Sequence, residues 1–137
     1  MASRLNPYLI FSGNAREAME FYANALGGEL KINTFGEFGD SGAPEANLVM
    51  HAQLETPAGF TLMASDAPPG MEVGTVGGFA VSLSGDDEAE LRGYWDKLSE
   101  GGQVTMPLEK QMWGDIFGML DDRFGVSWMV DIVGEPS

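Results

Sequence analysis

The chain of 137 residues contains no cysteine. Disulfides, thiolate metal sites and a cysteine nucleophile are therefore excluded, and the composition fits a reducing compartment. The chain also has no apolar run of about 18 residues, so we expect no segment that spans a membrane. The first residues carry one arginine and no long apolar stretch, and we expect no secretory signal there. These absences favour a cytoplasmic location.

Cationic side chains are scarce. The chain has 7 Lys and Arg residues against 21 Asp and Glu residues, and its formal net charge is -14. A field of this sign repels the phosphates of nucleic acids and anionic lipid headgroups, so we expect neither as a partner. The excess charge favours solubility on one interpretation and attraction of a cationic ligand on another.

The sequence contains an internal repeat. The segment Trp113–Asp131 returns, in weaker form, as Asn47–Ser65, and both copies predict a strand, a polar turn ending in glycine and a second strand. The offset of 66 residues rests on three matched pairs: Leu54 and Leu120, Gly59 and Gly125, and Met63 and Met129. We therefore predict two hairpins of the same kind.

The region before the first hairpin predicts a strand, a helix and a strand. Residues 5–13 have strand composition, and Asn14 with Glu17 forms a capping-box pattern that predicts the start of a helix. The apolar face of this helix consists of Ala18, Phe21, Tyr22, Ala25 and Leu26. Gly27-Gly28 predicts its end, and residues 29–33 predict the next strand.

The same order returns before the second hairpin. An offset of 72 aligns Phe79–Gly85 with the first strand, and Asp87 with Glu90 repeats the capping pair. The apolar face of the second helix consists of Leu91, Tyr94, Trp95 and Leu98. Gly101-Gly102 ends the helix, and residues 103–112 hold the next strand. Each half therefore has the order βαβββ.

We predict one domain over residues 1–137, with a first module at about 1–66, a linker at about 67–78 and a second module at about 79–135. The glycine-rich stretch 34–46 predicts a long irregular loop, and loops of this length are often functional. It is a candidate lid.

Two strings carry a family resemblance. PYLIF at residues 7–11, with Phe21-Tyr22 and Gly27-Gly28, resembles the opening of PhnB-like members of the vicinal oxygen chelate superfamily. DRFGVSW at residues 122–128 resembles their ending. That superfamily includes glyoxalase I, extradiol dioxygenases and bleomycin-resistance proteins, and the PhnB-like group is also labelled 3-demethylubiquinone 3-methyltransferase-like.

The resemblance implies an α+β fold in which two tandem βαβββ modules form an open barrel-like sheet around a cleft, with the helices outside. It also implies a homodimer. In the metal enzymes of the superfamily, the first and last strands of each module each supply one ligand, usually His, Gln or Glu. Those positions fall here on Pro7, Met63, Phe79 and Met129.

None of these four residues is a hard metal ligand, because a thioether suits soft Cu(I) better than Zn, Mn or Fe(II). We therefore expect no metal and no other cofactor. Glyoxalase and dioxygenase mechanisms are disfavoured, since both need the metal.

Alternation along the strands assigns side chains to faces. Leu48, Met50, Ala52 and Leu54 form a row that suits packing on a helix, and Val49 falls on the opposite row, toward the cleft. The predicted ligand-binding residues are Asn47, His51, Gln53, Thr61, Met63, Phe79, Trp113, Asp115, Phe117, Ser127 and Met129.

His51 and Asp115 are the candidate catalytic residues. His51 is the only histidine, and so the only unperturbed general base near neutral pH. It is a base or ligand anchor, a metal ligand, or a hydrogen-bonded sheet residue without a chemical task. Asp115 pairs with a ligand cation, with Arg123 or with Lys110, and desolvation would raise its pKa and suit it to acid or base chemistry.

Trp113 and Phe117 suit stacking on a flat or cationic ligand, where a cation over an aromatic face contributes roughly 0.5–2 kcal/mol. The alternative is that they fill space inside a small barrel. No glycine string matches a nucleotide site, and the repeat differs from the doubly wound sheet that usually holds S-adenosylmethionine, so we expect no methyltransferase.

The hypothesis that fits best is a metal-free PhnB-like protein that binds a small aromatic or cationic molecule, with antibiotic sequestration as one form of it. The alternative is a lyase, isomerase or dioxygenase that uses His51 and a carboxylate in a displaced site, with a divalent metal. A scaffold domain without a ligand is a third interpretation.

Overall fold

The computed structural model describes residues 5–39, 42, 45–67 and 79–134. The chain divides into two compact units, Met1–Val76 (unit 1) and Gly77–Ser137 (unit 2). Unit 1 contains β1 (Tyr8–Phe11), α1 (Ala15–Leu26), β2 (Glu29–Thr34), α2 (Phe35–Phe38), β3 (Val49–Glu55) and β4 (Thr61–Asp66). Unit 2 contains β5 (Val81–Gly85), α3 (Glu88–Leu98), β6 (Gln103–Lys110), β7 (Ile116–Asp121) and β8 (Ser127–Ile132).

Each unit holds one four-stranded mixed sheet. The strand orders are β1-β4-β3-β2 and β5-β8-β7-β6. The first and last strands of each unit are parallel, and the other neighbours are antiparallel. The predicted α+β class and the duplicated βαβββ order are confirmed. Within the described residues, no helix has both the length and the apolar character needed to span a membrane.

The core of unit 1 lies between α1 and one face of its sheet. The helix buries Met19 and Tyr22 completely, and Ala52, Leu54 and Ala64 of the sheet are equally inaccessible to solvent. Phe21, which the helical spacing placed on the buried face, is half-buried. Burial of large apolar side chains stabilises such a layer by roughly 1.5–3 kcal/mol each.

The core of unit 2 is built in the same way around larger side chains. Trp95 and Leu98 of α3 are buried, as are Leu120 and Trp128 of the sheet. Gly118 of β7 lies against the Trp95 ring, and a Cβ atom at that position would be 2.7 Å from Trp95 Cη2. Tyr94, predicted on the buried face of this helix, is only half-buried.

The two predicted hairpins are confirmed, with the same turn in both. In unit 1, Thr56 N donates to the Phe60 oxygen (3.0 Å), and in unit 2, Asp122 N donates to the Val126 oxygen (2.9 Å). Each pair repeats after 66 residues. The backbone hydrogen bond of the turn sets this offset, so the offset is the same in both hairpins although their side chains differ.

The first strands repeat with a different offset from the predicted one. Tyr8 is opposite Met63 in unit 1, and Ser82 is opposite Met129 in unit 2. The structural offset of β1 and β5 is therefore 74, not 72. The connection between strand and helix is one residue longer in unit 1. The Ser-Gly pair of unit 1 (residues 12–13) therefore follows β1, whereas that of unit 2 (residues 84–85) lies within β5.

The start of α1 differs from the predicted capping box. Asn14 is at the N-cap, but its side chain makes no capping hydrogen bond. Asp66 Oδ1, from the end of β4, accepts from Ala15 N (2.9 Å) and from Gly13 N (2.9 Å) instead. In unit 2 the predicted cap is confirmed, because the Asp87 carboxylate accepts from Glu90 N (3.1 Å).

One predicted loop begins later than expected, and most of the predicted linker lies outside the described residues. Thr34 belongs to β2, and the short helix α2 follows it, so the irregular stretch predicted from residue 34 begins later. Of the predicted linker, Ala67 is described and residues 68–78 lie outside the described residues. The same holds for 40, 41, 43 and 44 of the candidate lid.

Candidate functional site

Each sheet has one face covered by the helix of its unit and one that is not, which we call the open face. On unit 1 the open face carries alternate residues of four strands: Tyr8, Ile10, Lys31, Asn33, His51, Gln53, Thr61, Met63 and Ser65. These side chains are half-buried or exposed, while the alternating residues beneath them are mostly buried. The structure thus brings together the predicted residues His51, Gln53, Thr61 and Met63.

His51 is half-buried on this open face. Its ring lies 5.9 Å from the Tyr8 ring, centroid to centroid, at a tilt of 36°. Asn33 is opposite His51 on β2, and Asn33 Nδ2 donates to Glu37 Oε2 (3.1 Å). An imidazole, a phenol and an amide are therefore adjacent, which suits hydrogen bonding to a polar ligand.

The predicted face of Val49 is wrong. The β2–β3 register shifts between Asn33 and Thr34, so that Thr34 is opposite Val49 and the alternation is broken. Val49 is therefore buried on the helix side, where its N–H donates to Asp66 Oδ2 (2.9 Å). Asn47 lies in a turn before β3 and is exposed, so it does not share the strand row of His51.

The strand positions that would hold a metal also differ from the predicted ones. Pro7 and Phe79 precede their strands, and Phe79 is 58% exposed. The open-face residues next to Met63 and Met129 are Tyr8 and Ser82. Two thioethers, a phenol and a hydroxyl do not fit the His, Gln and Glu set that the resemblance implies.

The part of the chain that the structure describes shows no metal-binding cluster away from these strand positions. Within it, no three His, Asp or Glu residues are placed so that they could hold one ion.

The open face of unit 2 is apolar in one row and acidic in the next. The apolar row runs across the sheet from Ser82 to Met129, Met119 and Met106. The acidic row runs from Ser84 to Asp131, Phe117 and Glu109. The predicted residues Phe117, Ser127 and Met129 all lie on this face.

Trp113 lies at the tip of the β6–β7 hairpin. The tip is closed by hydrogen bonds from Gln111 N to the Asp115 oxygen (2.8 Å) and from Gly114 N to the Gln111 oxygen (3.1 Å). The Trp113 side chain is 63% exposed, and its ring meets the Phe117 ring edge-on at 6.1 Å and 62°. The rings of Trp113 and Phe117 are therefore in contact with each other, and the Trp113 ring is exposed.

Asp115 is next to this aromatic pair, and its partner is a second carboxyl group. Asp115 Oδ1 accepts from Gly134 N (3.0 Å), and Asp115 is the diagonal neighbour of Asp131, because Phe117 is opposite Asp131. Burial, followed by interaction with the neighbouring Asp115 carboxyl group, raises the pKa of Asp131. Asp131 Oδ1 is buried and has no hydrogen-bond partner within the described residues.

Neither predicted cationic partner of Asp115 takes that role. Arg123 Nε donates to the Glu100 backbone oxygen (3.2 Å), and Lys110 is exposed on β6. The sequence interpretation missed Asp131. The signal was present, because Asp131 has the same strand parity as Ser127 and Met129, which were both assigned to the binding face.

Comparisons with known proteins show which family and which proteins this chain resembles. A model of the Glyoxalase/Bleomycin resistance protein/Dioxygenase superfamily matches residues 4–130. Protein YjdN from Escherichia coli (strain K12) is 32% identical over 141 residues, covering 94% of this chain and 95% of that protein.

Two solved structures are similar over nearly the whole chain. Protein PA1353 from Pseudomonas aeruginosa is 41% identical, with a TM-score of 0.86, and the match covers 98% of this chain and 100% of that one. A Bacillus cereus protein described as a putative 3-demethylubiquinone-9 3-methyltransferase, PhnB protein, is 25% identical, with a TM-score of 0.77 and coverage of 96% and 100%.

Proposed function

The chain belongs to the glyoxalase/bleomycin resistance protein/dioxygenase superfamily, and from that premise we propose that it binds a small organic cation with an aromatic or apolar body, without a metal. The observation that carries the proposal is the position of the Trp113–Phe117 pair beside the Asp115 carboxyl group. An antibiotic of this chemistry is one candidate ligand, in keeping with the bleomycin-resistance members.

The aromatic pair and the carboxyl pair supply complementary attractions. Phe117 is directly opposite Asp131 in the β7–β8 pair, so their Cβ atoms are about 5 Å apart. A cation near the exposed Trp113 ring would meet both a π face and a negative charge, and the two contributions have the same sign. The net charge of -14 adds a long-range field that attracts such a ligand.

The methionine row supports the apolar part of the ligand. Met119 lies between Met129 and Met106, and the side chains of Met119 and Met129 are half-buried. Methionine is flexible and polarisable, so such a row adapts to ligands of different shape. A protein that sequesters related compounds would gain from this adaptability.

The test is a titration with benzyltrimethylammonium, followed by calorimetry in the wild type and each variant and, where Trp113 is present, also by its indole Nε–H resonance. We expect a progressive shift of this resonance in the wild-type protein and about tenfold weaker binding in Trp113→Leu. Met112→Leu is the matched control, because Met112 is the neighbouring residue and is fully exposed.

Equal affinity in Trp113→Leu and Met112→Leu would remove the aromatic contribution and contradict the proposed site. A neutral aromatic of similar size, such as benzyl methyl ether, serves as the ligand control. We expect it to bind more weakly than the cation, because it gains nothing from the carboxyl pair.

The alternative is metal-assisted chemistry that uses His51 and a carboxylate. This alternative has less support. The carboxylate nearest to His51 by hydrogen bonding is that of Glu37, which is bonded to Asn33 opposite His51. One imidazole and one carboxylate do not complete a metal site. Metal content of protein purified without added metal would decide between them. About one equivalent of divalent metal, lost in His51→Ala, would favour the enzyme over the binding protein.

A homodimer and a cytoplasmic location remain predictions. The homodimer follows from the family pattern and is tested by sedimentation velocity on the purified chain. A single species with the mass of the 14.7 kDa chain would contradict it.

A further inference from the structure

One oxygen of the aspartate pair has no partner. Asp131 Oδ1 is buried without a hydrogen bond within the described residues, while Asp115 Oδ1 is held by the Gly134 N–H. The two side chains are diagonal neighbours on the open face, because Phe117 is opposite Asp131 and Asp115 precedes Phe117 by two residues. Two neighbouring carboxylates repel each other when both are ionised, which favours a proton on one of them and raises the pKa of Asp131 beyond the effect of burial alone.

We propose that Asp115 and Asp131 share one proton in the free protein and that an organic cation displaces this proton to solvent when it binds. The inference rests on the proposed function and adds its regulation by pH. Before binding, the pair consists of one carboxylic acid and one carboxylate. In the complex there are two carboxylates and one bound cation, and one proton has passed to the buffer.

The other polar and charged groups near the pair do not account for this proton release. Ser84 of β5 is opposite Asp131 and does not titrate near neutral pH. On β6, Glu109 is opposite Phe117 and Lys110 is opposite Ile116. Both are exposed and opposite in sign, so solvent screens them and their effects on the pair oppose each other.

The direction of the pH dependence follows from linkage. Below the raised pKa of Asp131 the free pair is protonated, and binding must release a proton. Affinity for the cation therefore rises with pH by up to about tenfold per pH unit, which is the limit for one proton. Above that pKa the free pair is ionised, no proton is released and the affinity is constant.

The experiment is calorimetry of benzyltrimethylammonium binding in two buffers of different ionisation enthalpy at the same pH. The difference in heat measures the number of protons released. We expect release approaching one proton in the wild-type protein and none in Asp131→Asn, which cannot carry the displaced proton. Asp96→Asn is the control for net charge, because Asp96 is exposed on α3, and it should keep the wild-type release.

Equal heats in both buffers for the wild-type protein would overturn the inference while leaving the binding site intact. Proton release that persists in Asp131→Asn would overturn it as well. If the probe does not bind at all, the proposed function fails and the displacement fails with it. Carbon-13 NMR titration of the ligand-free carboxyl groups then shows whether the proton is still shared, because the upper titration should disappear in Asp131→Asn.

Discussion

The two units share a backbone plan but place their buried carboxylates differently. In unit 1, Asp66 at the end of β4 accepts three hydrogen bonds from the backbone, and in unit 2 the corresponding residue is Ile132. Unit 2 has its buried carboxylate at Asp122, in the hairpin turn, where unit 1 has Thr56. Topology was retained after the duplication, and the polar groups that support it were not.

The open faces of the two units also differ in the side chains that they present. Unit 1 presents an imidazole, amides and a lysine, and unit 2 presents aromatic rings and a carboxyl pair. The difference shows that the repeat predicts the position of a binding face in each unit but not its chemistry.

Asp66→Ala should have the largest effect on stability. It leaves the N–H groups of Gly13, Ala15 and Val49 without their acceptor, two of these bonds are buried, and we expect a loss of about 3–5 kcal/mol. Asp122→Ala also removes three bonds, but only the one from Trp128 Nε1 is buried and the two from turn N–H groups are partly buried, so we expect about 2 kcal/mol.

Urea unfolding followed by circular dichroism measures both losses. Tryptophan fluorescence separates the units, because all three tryptophans lie in unit 2. An equal or larger loss in Asp122→Ala would contradict the distinction between the units.

Gly118→Ala should have an intermediate effect. The new methyl group would be 2.7 Å from Trp95 Cη2 and 2.8 Å from the Leu108 Cα atom, and such overpacking costs about 1–3 kcal/mol. Unit 1 has Ala52 at the position that corresponds to Gly118, and the smaller Tyr22 at the position that corresponds to Trp95. Ala52→Gly should therefore cost only about 1 kcal/mol, from backbone entropy. Equal thermal stability of wild type and Gly118→Ala would show that Trp95 does not require the glycine.

Asp131→Asn should have the smallest effect, and its sign depends on pH. The pKa of Asp131 is raised in the folded protein, so the folded state holds more protons than the unfolded state. Wild-type stability therefore falls as pH rises from the ordinary carboxyl range through that pKa, and Asn removes this fall. Urea unfolding at several pH values should show the variant gaining on the wild type as pH rises. A difference independent of pH would contradict the raised pKa.

The sequence was sufficient for the architecture because its strongest signals are local or repeated. Helical spacing predicted the buried residues Tyr22 and Trp95, and the glycines of the hairpin turns predicted the 66-residue offset. Where a long-range contact decided the outcome, the prediction was wrong. Asp66 caps α1 from a strand more than 50 residues away, and no local pattern indicates that.

The candidate site was predictable in part. Parity along β3, β7 and β8 correctly assigned His51, Phe117 and Met129 to open faces, because alternation holds in regular strands. Val49 was misassigned, since an irregular register cannot be read from one strand alone. Asp115 lies in the hairpin tip before β7 and Asp131 in β8, so their proximity depends on the register of the whole hairpin.

The measurement that tests the account most directly compares benzyltrimethylammonium affinity in Asp115→Asn and His51→Ala, by calorimetry at neutral pH. If the cation binds at the carboxyl pair of unit 2, Asp115→Asn should weaken binding by about tenfold or more, equivalent to about 1.4 kcal/mol, and His51→Ala by less than about threefold. A tenfold loss in His51→Ala with full affinity in Asp115→Asn would place the ligand on unit 1 and contradict the account.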